Sequence, residues 1–118
     1  MLKITIREAR KALKDIVAEK GSDFRYDENT CVYAKDNAPS CGVGLALDKC
    51  GVPLTVIADL DHTGFDTSFK SDGVQETLLT NGIVVTDAAK RVLTRFQYEQ
   101  DSRQPYGEAL KSALRQAR

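Results

Sequence analysis

Four side chains of this chain have the chemistry of metal ligands or nucleophiles: Cys31, Cys41, Cys50 and His62. A structural zinc site needs four such ligands, usually arranged in closely spaced pairs. Here nine, eight and eleven residues separate them, and none forms a closely spaced pair. We therefore predict no metal site. Cys50 is expected in the core instead, because free cysteine behaves as a small apolar side chain.

Cys41 also falls in the first turn of a predicted helix, where the helix dipole can lower a thiol pKa and produce a nucleophile. His62 is the single histidine, so it would have to serve as the base. We instead expect Cys41 to be an inert core thiol. Three cysteines cannot all pair, and their spacings match no disulfide framework, so a reducing cytoplasm is the simpler interpretation.

Two short motifs resemble ligand-binding loops, but each lacks a residue that such a loop requires. Gly42-Val43-Gly44 precedes a helix as phosphate-binding loops do, but Leu47 replaces the third glycine and no Lys-Ser/Thr follows. The two glycines are expected to let another element approach the helix closely. The run Asp59 to Gly64 begins like a calcium loop, yet its twelfth position is Lys70 rather than Glu. We predict no cofactor and no catalytic activity.

Charge is distributed unevenly along a chain whose net charge is zero. Residues 1–20 and residues 84–118 each carry a net +3, whereas residues 21–83 carry −6. The basic residues of the two ends are either solvated helix faces or a surface for a partner. Those at helical spacing are the candidate binding residues: Arg7, Arg10, Lys11, Lys14, Lys90, Arg91 and Arg95.

Helix signals dominate the chain. Thr5 and Glu8 have the spacing of a capping box, and the helix that they open is predicted to end at Gly21. A second, largely apolar helix is predicted from an N-cap at Ser40 to a stop at Gly51-Val52-Pro53. Everything else is expected to pack around this second helix, whose apolar residues continue most of the way round.

Strand signals are few. Phe24–Tyr26 and Cys31–Ala34 alternate like strands around a polar connection, which predicts a β-hairpin. Residues 54–60 have the pattern of a short helix, and residues 83–85 are either an extended link or a third strand. Three further helices are predicted: one opened by Ser71 or Asp72, the longest one capped by Thr86, and a last one after Pro105.

These elements predict a mainly helical α+β fold, with four to five helices and one hairpin, in a single domain over residues 1–118. A chain of this length can bury a core without metal or disulfides. No run of 18 apolar residues predicts a membrane span, and the N-terminus lacks the pattern of a secretory signal. The expected core is one cluster around the central helix: Leu13, Val17, Val43, Leu47, Val92, Leu93 and Phe96.

A helix-turn-helix outline covers about residues 74–97. Gly82 stands where the turn glycine would be, whereas Leu78 occupies a position where a small residue usually permits the tight crossing. In this interpretation Lys90, Arg91 and Arg95 would face DNA. DNA binding is therefore the alternative function.

Three segments resemble an uncharacterised small protein family encoded by phages of actinobacteria. They are the aromatic segment from Phe24 to Tyr33, the run from Ala38 to Gly44 with the stop at Gly51-Val52-Pro53, and Val85 to Ala89 with Gln100-Asp101 and Tyr106 to Leu110. The resemblance implies a phage protein in a host cytoplasm and transfers no active site. With no catalytic set complete, we expect a protein partner, with host interference as the context.

Overall fold

The computed structural model describes residues 1–28 and 31–116, and this part of the chain is a mainly helical α+β domain. It has four short strands and six α-helices, which is more helices than the four to five expected. The elements are β1 Leu2–Ile4, α1 Ile6–Lys20, β2 Ala34–Lys35, β3 Ala38–Pro39, α2 Gly42–Lys49, α3 Leu54–Asp59, a 3₁₀ turn Leu60–His62, α4 Asp72–Thr80, β4 Ile83–Val85, α5 Asp87–Asp101 and α6 Tyr106–Arg115.

The helix ends follow the local sequence closely. Glu8 accepts a hydrogen bond from the Thr5 backbone N–H at 3.2 Å and another from the Thr5 hydroxyl, as in the predicted capping box. Ser71 and Thr86 cap α4 and α5 by accepting from backbone N–H groups three residues on, at 3.3 and 3.2 Å. Local capping chemistry therefore determines where α1, α4 and α5 begin.

Helix α2 begins one residue later than predicted. Cys41, rather than Ser40, is its N-cap, and the Cys41 sulfur accepts from the Gly44 N–H at 3.4 Å. The Ser40 hydroxyl lies 3.0 Å from the Tyr26 hydroxyl instead. At the other end the Val52 N–H donates to Leu47 O and the Gly51 N–H to Asp48 O, both at 3.0 Å, which is the predicted glycine-closed stop.

The hairpin lies elsewhere than predicted. Phe24–Tyr26 is not a strand, and the antiparallel pair is β2 with β3, where Ala34 lies opposite Pro39. The turn residues Asp36 and Asn37 have φ of 52° and 62°. Asp and Asn tolerate this left-handed region, and a turn with both central φ positive matches the twist of a hairpin. The polar connection Asp27–Thr30 lies partly outside the described residues.

A second sheet joins the start of the chain to the segment just before α5. Strand β1 pairs in parallel with β4, with Leu2, Lys3 and Ile4 opposite Ile83, Val84 and Val85. Residues 83–85 are thus a strand, while β1 was not predicted at all. Because α1 follows β1 and α5 follows β4, the two longest helices begin side by side, and the Thr86 N–H donates to Ile4 O at 3.1 Å.

The core forms around α2 as expected. Helix α1 packs on α2, α5 and α6, and α2 packs on α5. All seven residues of the predicted cluster are buried in one continuous core, and Leu13, Val43, Leu47, Val92 and Phe96 have no exposed surface. The prediction that this helix is central is confirmed.

The two glycines of α2 allow close packing, as predicted. A Cβ at Gly42 would overlap the Phe96 ring, and a Cβ at Gly44 would overlap the carbonyl group of Tyr33. The chain before β2 and helix α5 can therefore approach the backbone of α2 only because these positions lack side chains.

Cys31 and Cys41 form a disulfide, so the expectation that Cys41 is a core thiol is wrong. Their Cα atoms are 5.5 Å apart, which is within the usual range for such a bond. The disulfide attaches the segment before β2 to the first turn of α2. Sequence spacing alone does not bring these residues together; the turn at Asp36-Asn37 folds the intervening segment back.

Candidate functional site: two basic grooves

One concave surface runs along the outward face of α5, and we call it the α5 groove. Its volume is about 320 Å³, and its lining residues are Lys70, Lys90, Arg91, Thr94, Arg95, Tyr98 and Gln116. The predicted residues Lys90, Arg91 and Arg95 thus lie in one groove. They point outward because the opposite stripe of α5, from Ala89 to Gln100, faces the core.

Two hydrogen bonds hold the walls of the α5 groove against the helix. On one side the Phe69 N–H donates to Gln97 Oε1 at 2.8 Å, which fixes the segment that carries Lys70. On the other side Arg95 Nε donates to Ser112 Oγ at 2.8 Å, which links α5 to α6. The groove therefore combines a loop and two helices.

Arg95 is already engaged within the protein. Besides the bond to Ser112, its guanidinium lies 2.8 Å from Glu99 Oε1 and 5.1 Å from the centre of the Tyr98 ring. Tyr98 itself is 61% exposed. Arg95 and Tyr98 therefore form a cation–π pair, and the Tyr98 ring is largely exposed to solvent.

Arg91 and Lys70 are exposed, and neither forms an ion pair within the described part of the chain. Lys90 lies 3.9 Å from Asp87, a carboxylate that is itself 89% exposed. An exposed pair at this distance contributes little and leaves the lysine available to a ligand. The α5 groove thus presents three cations that the fold itself does not neutralise tightly.

Thr94 also lines the α5 groove, about one turn of α5 from both Arg91 and Tyr98. Its Oγ1 is buried and has no hydrogen-bond partner among the described residues. A buried hydroxyl without a partner carries a desolvation penalty of about 1–3 kcal/mol.

The other predicted residues form a separate depression, which we call the α1 groove. Its volume is about 400 Å³, and it is lined by Ile6, Arg7, Arg10, Lys11 and Lys14. Lys11 is paired with Asp15 at 2.9 Å, and Arg10 Nε is buried without a partner. The α1 groove has only residues of one helix and includes no aromatic side chain.

Two acidic residues of the middle of the chain accept backbone hydrogen bonds. The Asp61 carboxylate accepts from the N–H groups of Tyr33 and Ala34 at 2.8 and 3.1 Å. Asp66 accepts from the Ser68 N–H at 3.0 Å. The Ser68 side chain, together with this N–H, lowers the pKa of Asp66. The segment that resembled a calcium loop therefore supports the hairpin instead.

The four candidate metal ligands do not come together in one cluster in the described part of the chain. Cys31 and Cys41 are bonded to each other, His62 is exposed, and Cys50 lies between α1 and α2, with its thiol 3.8 Å from Glu8 O. Burial, with a smaller effect of Glu8, raises the pKa of Cys50 to about 11. In residues 1–28 and 31–116, His, Cys, Asp and Glu form no group of three that could bind an ion.

The buried polar residues that sequence reasoning missed are structural. Gln97 Nε2 donates to the Tyr33 hydroxyl at 2.8 Å, and Gln100 Oε1 accepts from the Gly42 N–H at 2.7 Å and from the Tyr106 hydroxyl at 2.6 Å. Both glutamines thus satisfy backbone and tyrosine groups around α2. Burial raises the pKa of both tyrosines, so they remain protonated donors.

The segment with the helix-turn-helix outline has a different connection. Between α4 and α5 lies β4, which is paired with β1, and Gly82 takes φ 76° just before that strand. Helix α4 packs mainly on β4, on α3 and on the 3₁₀ turn. In a helix-turn-helix a short turn joins two helices that cross each other. Here a paired strand joins α4 to α5 instead.

No protein-family model, curated protein or solved structure matches this chain. In its described residues, none of the helices has both the length and the apolar character needed to cross a membrane. The function of the two grooves therefore has to be inferred from the residues of this chain alone.

Proposed function

We propose that this chain is a noncatalytic binding protein that docks a protein partner in the α5 groove. The observation that carries the proposal is the combination of exposed Tyr98, stacked on Arg95, with the unpaired cations Arg91 and Lys70 in one concave surface. Tyrosine and arginine are the side chains most enriched at the energetic centres of protein interfaces.

The rigidity of the groove supports this proposal. Because hydrogen bonds to Gln97 and Ser112 already hold both walls, binding would require little rearrangement of the walls, although it would still order the exposed side chains of Arg91 and Lys70. Preorganisation of the groove walls raises affinity, because association otherwise costs free energy for each group that it orders.

DNA binding is the second candidate, favoured by the eight basic residues of the two grooves. The parallel pairing of β1 and β4 makes α1 and α5 begin together, so both grooves belong to neighbouring helices. A polyanion that spanned both would contact up to eight cations, and its affinity would fall steeply with salt. The zero net charge of the chain gives no long-range attraction toward such a ligand.

The sequence resemblance supplies the proposed context, a phage protein that interferes with a host protein in the host cytoplasm. The Cys31–Cys41 disulfide bears on this context, because cytoplasmic reductants keep most thiols reduced. In that compartment the proposal requires a fold that persists with both thiols reduced. The buried core around α2 supports such persistence.

Affinity capture from an actinobacterial lysate tests the proposed function. The bait proteins are the unmodified chain, Arg91→Glu in the α5 groove, and Arg7→Glu in the α1 groove as a control with the same change of charge. We expect a protein that resists nuclease treatment, is lost with Arg91→Glu and is retained with Arg7→Glu. Capture that disappears with nuclease, or that Arg91→Glu leaves unchanged, would contradict the proposal.

A further inference from the structure

The geometry points to the chemical class of the partner segment: we infer that the α5 groove binds a short acidic peptide segment that also carries an apolar side chain. This inference rests on the proposed function and specifies it. It follows from which cations of the groove are free and from the distance between Arg91 and Tyr98 along α5.

Two cations of the α5 groove are free, and a third, Lys90, is only loosely paired with Asp87 at 3.9 Å. Arg91 and Lys70 form no ion pair in the described part of the chain, whereas Arg95 is held by Glu99 and Ser112. A ligand carboxylate would therefore find available charge at Arg91, which can bind it through two parallel N–H groups. Lys70 offers a second, less directional contact.

The stacked pair of Tyr98 and Arg95 lies further along α5. Seven residues separate Arg91 from Tyr98, and at 1.5 Å per residue their Cα atoms lie about 10 Å apart along the helix axis. An extended peptide covers this distance with about three residues. The groove thus has room for an anchoring carboxylate, then an apolar side chain on the Tyr98 ring.

The rim of the groove distinguishes a peptide from a nucleic acid. Asp87 is 89% exposed beside Lys90, and the Glu99 carboxylate lies beside Arg95. A continuous phosphate backbone that followed α5 would meet both carboxylates, and like charges at an interface are costly. A short peptide can place its carboxylates at Arg91 and Lys70 without running along the whole of α5 past both acidic residues.

Fluorescence anisotropy with defined probes tests this inference on the full chain. The first probe is a fluorescein-labelled peptide, Asp-Glu-Leu-Phe-Asp-Glu, and the second has Asn and Gln in place of its acidic residues. A fluorescein-labelled 12-base-pair duplex is the third probe. We expect the acidic peptide to bind at least about tenfold more tightly than the amide peptide, because only carboxylates pair with Arg91.

Two variants of the α5 groove and one control in the α1 groove show whether that binding uses the α5 groove. Arg91→Glu should weaken binding of the acidic peptide about tenfold or more, whereas Arg7→Glu should change it less than about twofold. Tyr98→Ala should weaken binding of both peptides, because it removes the apolar contact. Circular dichroism of each variant confirms that it is folded before titration.

The inference is overturned if the amide peptide binds as well as the acidic one, if Arg7→Glu weakens binding as much as Arg91→Glu, or if the duplex binds more tightly than either peptide. If lysate capture depends on Arg91 while the acidic peptide does not bind, the proposed function stands and the acidic class is wrong. If capture is also independent of Arg91, both fail.

Discussion

Substituting alanine for Gly44 tests the packing on which the fold depends. The added Cβ would lie 3.0 Å from the Tyr33 carbonyl carbon and closer still to its oxygen. That backbone cannot move easily, because the same oxygen accepts from the Ser40 N–H at 2.9 Å and the Tyr33 N–H is held by Asp61. The substitution must therefore displace α2 or break these contacts.

The free-energy costs of Gly44→Ala can be compared with the gain in helix propensity. Overpacking costs about 1–3 kcal/mol, and loss of a buried hydrogen bond costs about 1–3 kcal/mol more. Better helix propensity returns about 1 kcal/mol when alanine replaces glycine. We expect Gly44→Ala to lower the free energy of unfolding by about 3 kcal/mol, within a range of about 1–5.

Chemical denaturation monitored by circular dichroism measures this change. Gly51→Ala is the matched control, because Gly51 has φ 95° but no atom within 4 Å of an added Cβ. Backbone conformation alone should therefore cost about 1 kcal/mol there. If Gly44→Ala were neutral or stabilising, α2 would not pack against the segment before β2, and the account of the core would be wrong.

Other measurements test the core, the disulfide and one buried carboxyl. Leu47→Ala should cost about 2–5 kcal/mol in the same assay, from lost burial plus a cavity, and a near-neutral result would make α2 peripheral. The double variant Cys31→Ser/Cys41→Ser should lose about 2–3 kcal/mol relative to the oxidised protein, since the disulfide closes a ten-residue loop, and equal stability would refute the loop-closure reasoning. Burial raises the pKa of Asp101 above its ordinary 3.8, so the folded state binds this proton more tightly than the unfolded state. The contribution of this proton to the free energy of unfolding is therefore lost as pH rises from about 3.8 through the folded pKa. Asp101→Asn should flatten this part of the plot of the free energy of unfolding against pH. An unchanged plot would contradict the raised pKa of Asp101.

The sequence predicted those features that neighbouring residues decide. The capping box at Thr5 and Glu8, the cap at Thr86 and the glycine-closed stop of α2 all involve groups within a few residues of one another. The buried stripes of α1 and α5 follow from helical periodicity, so the core cluster could also be predicted.

Features that depend on distant residues could not be predicted. Strand β1 has three residues, and only its pairing with β4, some eighty residues away, makes it a strand. The alternating aromatic segment from Phe24 predicts a strand. The structure instead places Tyr26 in a loop, where its side chain is buried and its hydroxyl contacts Ser40. Burial of aromatic side chains and strand pairing give the same sequence pattern over so few residues.

The candidate site was predicted in part. The pattern on α5 indicated Lys90, Arg91 and Arg95, and the spacing of Tyr98, seven residues after Arg91, places it on the same face. That spacing was the available signal for Tyr98. Lys70 had no such signal, because it reaches the groove only through the bond from Phe69 to Gln97.

Chemical-shift mapping by NMR tests the central claim most directly. The ¹⁵N-labelled full chain is titrated with the acidic peptide, and backbone amide shifts are followed residue by residue. The account predicts that the largest shifts lie at Lys70 and from Lys90 to Tyr98, with α1 from Arg7 to Lys14 unaffected. Shifts centred on α1, or spread over both basic grooves, would contradict it.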